Sequence, residues 1–199
     1  MQSGLKRLGV LGGTFDPIHI GHLIAATAAR HAYRLDRVLF VPAGKPWQKS
    51  EYSDAEDRFM LTTLAVAEDP AFAVSRIELD RKGPTYTVDT MRDLRDFYGE
   101  VELFFIAGAD AVAHLGSWVG VEELGELAEI IAVRRPGYTL PELDRKPGWP
   151  GVHPLDMPLI GISATDIRRR VQAQEPIDYQ VPRPVAQYIS ERGLYQGTR

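Results

Sequence analysis

Leu8-Gly9-Val10-Leu11-Gly12-Gly13-Thr14-Phe15-Asp16-Pro17-Ile18-His19-Ile20-Gly21-His22 is the stretch whose reading decides the fold. Leu8–Leu11 is a short apolar run ended by Gly12-Gly13, the pattern of a strand buried on both faces. From His19-Ile20 an alanine-rich segment continues to about Arg30 and reads as a helix. Strand, glycine turn and helix in succession make the opening of a βα unit, and the rest of the chain keeps that rhythm. Arg37–Val41 is a second strand, closed by Pro42. Ser53 with Glu56 three residues on matches a capping box and places a helix from Asp54 to about Ala67. Phe72–Ser75 is a third strand, and Thr85–Thr90 opens a helix to about Phe97. Val101–Ala107 is a fourth strand, ended by Gly108. A helix over Ala111–Leu115 capped by Asp110, a helix over Val121–Ala128, and strands at Ile130–Val133 and Val152–Leu155 follow. Four prolines, Pro136, Pro141, Pro147 and Pro150, make 136–150 a loop. Ser163 caps a helix from Ala164 to about Ala173, and Val185–Arg192 ends the chain with Gly193 just past it.

No repeat or low-complexity linker divides this pattern. The expected fold is α/β: a Rossmann-like, doubly wound, mostly parallel sheet with helices on both faces. Residues 1–199 form one domain in this reading, and the segment 162–199 is helical. Ligands in such folds bind outside the carboxyl ends of the strands, near the switch in strand order. Composition agrees with a globular chain of this size. Of 199 residues, 44% are hydrophobic and 25% charged, enough apolar material for a core that needs no staples. There is no cysteine, hence no disulfide framework, thiolate nucleophile or Cys-based zinc site. The formal charge of −4 argues against a broad nucleic-acid coat or a membrane-surface protein. Lys6 and Arg7 before Leu8–Leu11 imitate a secretory signal, but Asp16, His19 and His22 interrupt the apolar run such a signal needs. A cytoplasmic protein with no nucleic-acid or membrane partner is the expectation.

The chemistry gathers in the first strand–loop–helix corner. Gly12 and Gly13 carry no Cβ to keep a ligand away from the backbone, and a helix start offers N–H groups and a positive dipole end to phosphate. His19 and His22, three apart, share a helix face at that end. The segment lacks the Gly-Lys-Ser/Thr ending of a P-loop and the spacing of a dinucleotide fingerprint. A histidine pair can also bind metal, but such a site wants a third protein ligand, and His31, His114 and His153 show no such pattern. A purely structural pair is the other alternative.

These residues carry a resemblance. His19-Ile20-Gly21-His22 resembles the HxGH signature of the nucleotidyltransferase superfamily, and Gly12–His22 as a whole is similar to the bacterial nicotinate mononucleotide adenylyltransferases. A second motif of that family is expected near the C-terminus, and Ile162-Ser163-Ala164-Thr165-Asp166-Ile167-Arg168 resembles its ISSTxIR. Ala164 departs from the commoner serine. Gly83-Pro84-Thr85-Tyr86-Thr87-Val88-Asp89-Thr90 looks like GPTYTxDT, and Gly108-Ala109-Asp110 with Trp118 looks like the GADxxxxxxxW element. The resemblance spans nearly the whole chain.

What it implies is adenylyl transfer from ATP to nicotinate mononucleotide, giving nicotinate adenine dinucleotide and pyrophosphate in NAD biosynthesis, with Mg²⁺ arriving on ATP. His19, His22, Lys49 and Arg168 are the implied catalytic donors, with Arg168 on the β- and γ-phosphates. A planar guanidinium suits that task because it grips two oxygens at once. ATP is assigned to Gly12, Gly13, Thr14, Phe15, Gly21, Gly108, Asp110, Ile162, Ser163 and Thr165. Nicotinate mononucleotide is assigned to Asp16, Lys49, Thr85, Tyr86 and Trp118, with Trp118 stacking on the pyridine or, alternatively, packing in the core. Gln48 stands where many relatives have His. Arg169 and Arg170 read as a solvated face. The acceptor's phosphate is already ionised, so alignment and charge stabilisation suffice without a general base or covalent intermediate. Alternatives are another adenylyl- or cytidylyltransferase such as pantetheine-phosphate adenylyltransferase, a non-catalytic nucleotide-binding module, and a metal-dependent hydrolase. The sequence leaves a homo-oligomer open.

Overall fold

The computed structural model describes residues 4–44, 53–134, 146–158 and 160–197. Lys49 and Gln48, and the 135–145 part of the proline-rich loop, lie outside the described residues. The strands are β1 (Arg7–Gly13), β2 (Arg37–Pro42), β3 (Phe72–Val74), β4 (Glu102–Gly108), β5 (Ala128–Val133) and β6 (Val152–Leu155). The helices are α1 (Ile20–Ala32), α2 (Ala55–Val66), α3 (Thr87–Tyr98), α4 (Ala109–Val112), α5 (Val121–Leu127), α6 (Ala164–Gln172) and α7 (Arg183–Arg192). The sheet order is β3-β2-β1-β4-β5-β6, and every pairing is parallel. The expected mostly parallel sheet is therefore wholly parallel among the described residues.

Period-2 alternation assigns each strand residue to one of two cores. Leu11, Val38, Phe40, Phe104, Ile106, Ile131 and Val133 pack with residues of α1, α2, α6 and α7. Leu8, Val10, Leu39, Val41, Leu103, Ile130 and Ala132 pack with residues of α3, α4 and α5 on the opposite face. Both faces are thus covered by helices, which is why the strands read as continuous apolar runs rather than alternating ones.

Two expected caps are corrected. Helix α2 is capped by Asp54, whose carboxylate accepts the Glu56 N–H at 2.8 Å, and not by Ser53. Asp54 and Ser53 are both good cap residues, and Ser53 is engaged instead by Asp16 and Arg58. Helix α4 starts at Ala109 with Gly108 as its cap, so Asp110 lies inside the first turn. A single 3₁₀ turn at Leu115–Ser117 follows it. The Ser163 cap is as read from the sequence: its hydroxyl accepts the Asp166 N–H at 3.1 Å.

The register places the site. Pairing of β1 with β4 ends at Leu11 opposite Ile106. Beyond that point β1 stays with β2 through Gly13 opposite Pro42, while β4 stays with β5 through Gly108 opposite Val133. The sheet splits open at the carboxyl ends of its two central strands, where the order of connections reverses.

Candidate active site

The loop from Thr14 to Ile18 lies at the mouth of that split. Phe15 adopts φ of 49°, a left-handed backbone that costs a non-glycine residue free energy, and buries its ring with 2% exposure. A Cβ on Gly13 would lie 2.8 Å from that ring, and one on Gly12 would lie 3.2 Å from Phe105. The space left by both glycines is filled by aromatic rings. The absence of a Cβ at both positions therefore seats Phe15 and Phe105.

His19 is the N-cap of α1, with extended backbone. Its N–H donates to Nδ1 of His22 at 3.1 Å, and the His22 N–H returns to the His19 carbonyl at 2.9 Å. The two imidazoles stack with centroids 3.7 Å apart, and the Phe15 ring abuts His22 edge-on at 5.1 Å. A Cβ on Gly21 would lie 3.0 Å from Nδ1 of His19. The glycine between the histidines therefore lets the two rings take this arrangement. Because Nδ1 of His22 accepts a hydrogen bond, a neutral ring carries its proton on Nε2 and donates from there.

The start of α1 differs from the sequence expectation of unpaired N–H groups. The His19 and His22 amides are used as described, and the Ile20 N–H donates to the carbonyl of Gln180 at 2.9 Å. An anion at this corner meets imidazole donors more than helix amides.

Arg168, on α6, reaches back to this loop. Its Nη1 donates to the Asp16 carbonyl at 2.6 Å, and its Nη2 lies 3.4 Å from Oγ1 of Thr165. A guanidinium has five N–H donors, so these contacts leave others for a ligand. Arg168 also lines a shallow cavity of about 430 Å³ with Thr165, Gln172 and Tyr195. Ser163 and Thr165 are exposed at the head of α6, and Ile162 packs against the core. Arg169 and Arg170 form ion pairs with Asp166 and Glu175, the structural role read from the sequence.

Asp16 is 4% exposed, Oδ2 accepts the Ser53 N–H at 3.2 Å, and Oδ1 accepts the Tyr195 hydroxyl at 2.7 Å. Each oxygen of its carboxylate thus accepts a bond from within the protein, which holds the loop. Burial and the facing Asp16 carboxylate push the Tyr195 phenol well above its ordinary value, which keeps it a donor.

On the other side of the split, Asp110 is exposed in the first turn of α4, directly after β4. Trp118 is half-buried, its ring edge-on to Phe105 with centroids 5.8 Å apart. Its ring is thus anchored on Phe105 and only partly covered. Tyr86 caps α3 and is exposed. Thr85 is half-buried, and its hydroxyl bonds to the carboxylate of Glu78.

The sequence reading missed Arg58 and Glu78. Arg58 is 0% exposed. Its Nη1 donates to the carbonyls of Thr14 at 2.9 Å and Ala43 at 2.7 Å, and its Nε to that of Ser53 at 3.1 Å. One guanidinium thus ties the loop after β1 to both ends of the segment that carries Lys49. The signal that could have revealed it is an arginine in the apolar stripe of α2, between Asp57 and Leu61. Glu78 accepts from Thr90 at 2.8 Å and from the Gly44 N–H, and burial pushes its carboxyl above the ordinary glutamate range. A Cβ on Gly44 would collide with the Glu78 carbonyl oxygen, so that position has room only for glycine.

Among the described residues no group of three His, Asp or Glu side chains is placed to hold a metal ion. None of the described helices is long and apolar enough to cross a membrane.

A wholly parallel sheet split between β1 and β4, with imidazoles on one lip and a guanidinium reaching back to it, defines a nucleotide-handling α/β protein. The chain belongs to the cytidylyltransferase-like family, whose model matches residues 10–170. Its similarity to curated proteins is more particular. It is 51% identical over 196 residues to the "Probable nicotinate-nucleotide adenylyltransferase" of Corynebacterium kroppenstedtii, covering 98% of this chain and 93% of that protein. It is also 51% identical over 189 residues to the protein of the same description in Streptomyces coelicolor, covering 94% of this chain and all of that one. The fold is similar to that of Plasmodium falciparum nicotinic acid mononucleotide adenylyltransferase complexed with NaAD. That match has a TM-score of 0.75 at 18% identity, covering 96% of this chain and 97% of the other.

Proposed function

We propose that this protein transfers the adenylyl group of ATP to nicotinate mononucleotide, releasing pyrophosphate and forming nicotinate adenine dinucleotide. An oxygen of the mononucleotide phosphate attacks the α-phosphorus of ATP, and the bond to the bridging oxygen of pyrophosphate breaks. The attacking oxygen is already anionic at neutral pH, so the protein needs to align two polyanions and stabilise developing charge. Nε2–H of His22 and the imidazole of His19 serve the transferring phosphoryl group. The outward donors of Arg168 serve the leaving pyrophosphate, and Lys49 adds a further cation from the segment after β2. Asp110 accepts from a ribose hydroxyl or a nucleotide amine, and the open part of Trp118 stacks on the pyridine. Magnesium belongs to the ATP substrate, bound through its phosphates.

The observation that carries this reading is the junction of the two motifs. Arg168, from the C-terminal motif, is bonded to the carbonyl of Asp16, three residues before His19 of the first. Identity near one half to curated relatives of this description supports the choice of acceptor. Incubation with MgATP and nicotinate mononucleotide should yield the dinucleotide and pyrophosphate in equal amounts, followed by chromatography and a pyrophosphate assay. Pyrophosphate without dinucleotide would make water the acceptor and overturn the proposal.

A further inference from the structure

Asp16 joins three segments far apart in the chain. Its main-chain carbonyl accepts Nη1 of Arg168, its Oδ1 accepts the Tyr195 hydroxyl, and its Oδ2 accepts the Ser53 N–H. The side chain of Asp16 is therefore held from both sides, by the tail after α7 and by the residue leading into α2. Its carbonyl is left aimed at the arginine. We infer that Tyr195 is a positioning residue for adenylyl transfer: through Asp16 it fixes the carbonyl that orients the Arg168 guanidinium toward the phosphates.

The ring of Tyr195 packs at the margin of the core formed with α1, α2, α6 and α7. A phenylalanine would fill that space equally well. The hydroxyl reaches Asp16 and also bonds the side chain of Ser53, so the function resides in the phenol's hydrogen bonds. Tyr195 also sits in the left-handed backbone region, with φ of 63°. Loss of the hydroxyl leaves a buried carboxylate oxygen short of a donor, and the loop then relaxes toward another partner. The carbonyl moves with the loop, and Arg168 with the carbonyl.

The molecule contains its own control. Tyr188, on α7, donates its hydroxyl to Oδ1 of Asp57 at 2.8 Å. This is the same chemistry, tying the same C-terminal region to α2, but Asp57 makes no contact with Arg168 or the histidines among the bonds described.

The inference rests on Arg168 acting on the ATP phosphates, and a double-mutant cycle separates the two claims. Arg168→Ala alone tests the underlying reading: its turnover should fall at least about a hundredfold, as for removal of a leaving-group clamp. Unchanged turnover would overturn that reading and this inference together. Tyr195→Phe should lower kcat about tenfold, the scale of a sub-ångström misalignment. Tyr188→Phe should change kcat by less than about twofold. In the Arg168→Ala background, Tyr195→Phe should cost no further rate. If Tyr195→Phe keeps full kcat, or loses the same factor with and without Arg168, or if Tyr188→Phe slows the enzyme as much, Tyr195 has no positioning role.

Discussion

Replacing Arg58 tests whether a single buried cation holds the two loops of the site in place. Three of its hydrogen bonds are 2.7 to 3.1 Å long, to the carbonyls of Ala43, Thr14 and Ser53, and a fourth contact to Gly44 is 3.4 Å. Arg58→Leu strands at least the three close acceptors. Leaving a buried polar group unsatisfied costs about 1–3 kcal/mol. These carbonyls belong to half-buried residues, so water reaches some of them and the lower end applies, near 3–4 kcal/mol in sum. Removing the desolvation cost of the guanidinium offsets part of this. For a chain of this size each kcal/mol moves the melting temperature by about 2–4 °C. The expected drop for Arg58→Leu is then about 6–12 °C by circular dichroism. Arg58→Lys keeps the charge but loses the fork, and should fall between the parent and the leucine variant. Turnover measured well below the melting temperature should fall in both variants, because the loop bearing the histidines and the segment bearing Lys49 lose their common tie. A leucine variant that melts within 2 °C of the parent would refute the reasoning, since the carbonyls would then be satisfied without the guanidinium.

His19→Ala should lower turnover at least about tenfold with the fold intact by circular dichroism, and near-normal turnover would remove His19 from catalysis. Trp118→Ala should raise KM for the pyridine nucleotide well above any rise in KM for ATP, whereas equal rises would leave only its packing on Phe105. Glu78 predicts a pH dependence of stability. A carboxyl raised in the folded state stabilises it fully below the unfolded value, near 4.3, and that stabilisation is lost as pH rises through the higher folded value. Denaturant titrations of Glu78→Gln and parent should therefore diverge in favour of the variant as pH rises above about 4.3, and a pH-independent difference would contradict the burial argument.

Much of this was legible in the sequence because it depends on local pattern. The apolar runs Leu8–Leu11, Arg37–Val41 and Val101–Ala107 mark strands buried on both faces, and each forms an interior strand of the sheet. Glycines and the Ser163 cap mark helix ends by backbone chemistry that needs no tertiary partner. The errors arise where two local solutions compete. Ser53 and Asp54 are both good caps, and the choice between them depends on Ser53 being drawn to Asp16 and Arg58. The hydrogen-bond partners of Asp16 and Thr85 were not legible for the same reason: Tyr195 lies far along the chain from Asp16, and the loop that carries Glu78 must fold back onto Thr85. Arg58 escaped notice because an arginine on a helix ordinarily lies in solvent, and only the carbonyls brought to it by the loop after β1 and by both ends of the segment after β2 make its burial favourable.

The central claim is the identity of the acceptor. The direct test compares kcat/KM for nicotinate mononucleotide, nicotinamide mononucleotide and phosphopantetheine, each with MgATP, by pyrophosphate release. The account predicts that nicotinate mononucleotide is used most efficiently and that phosphopantetheine gives no release above background. Efficient turnover of phosphopantetheine, or release that is the same with no acceptor present, would contradict it.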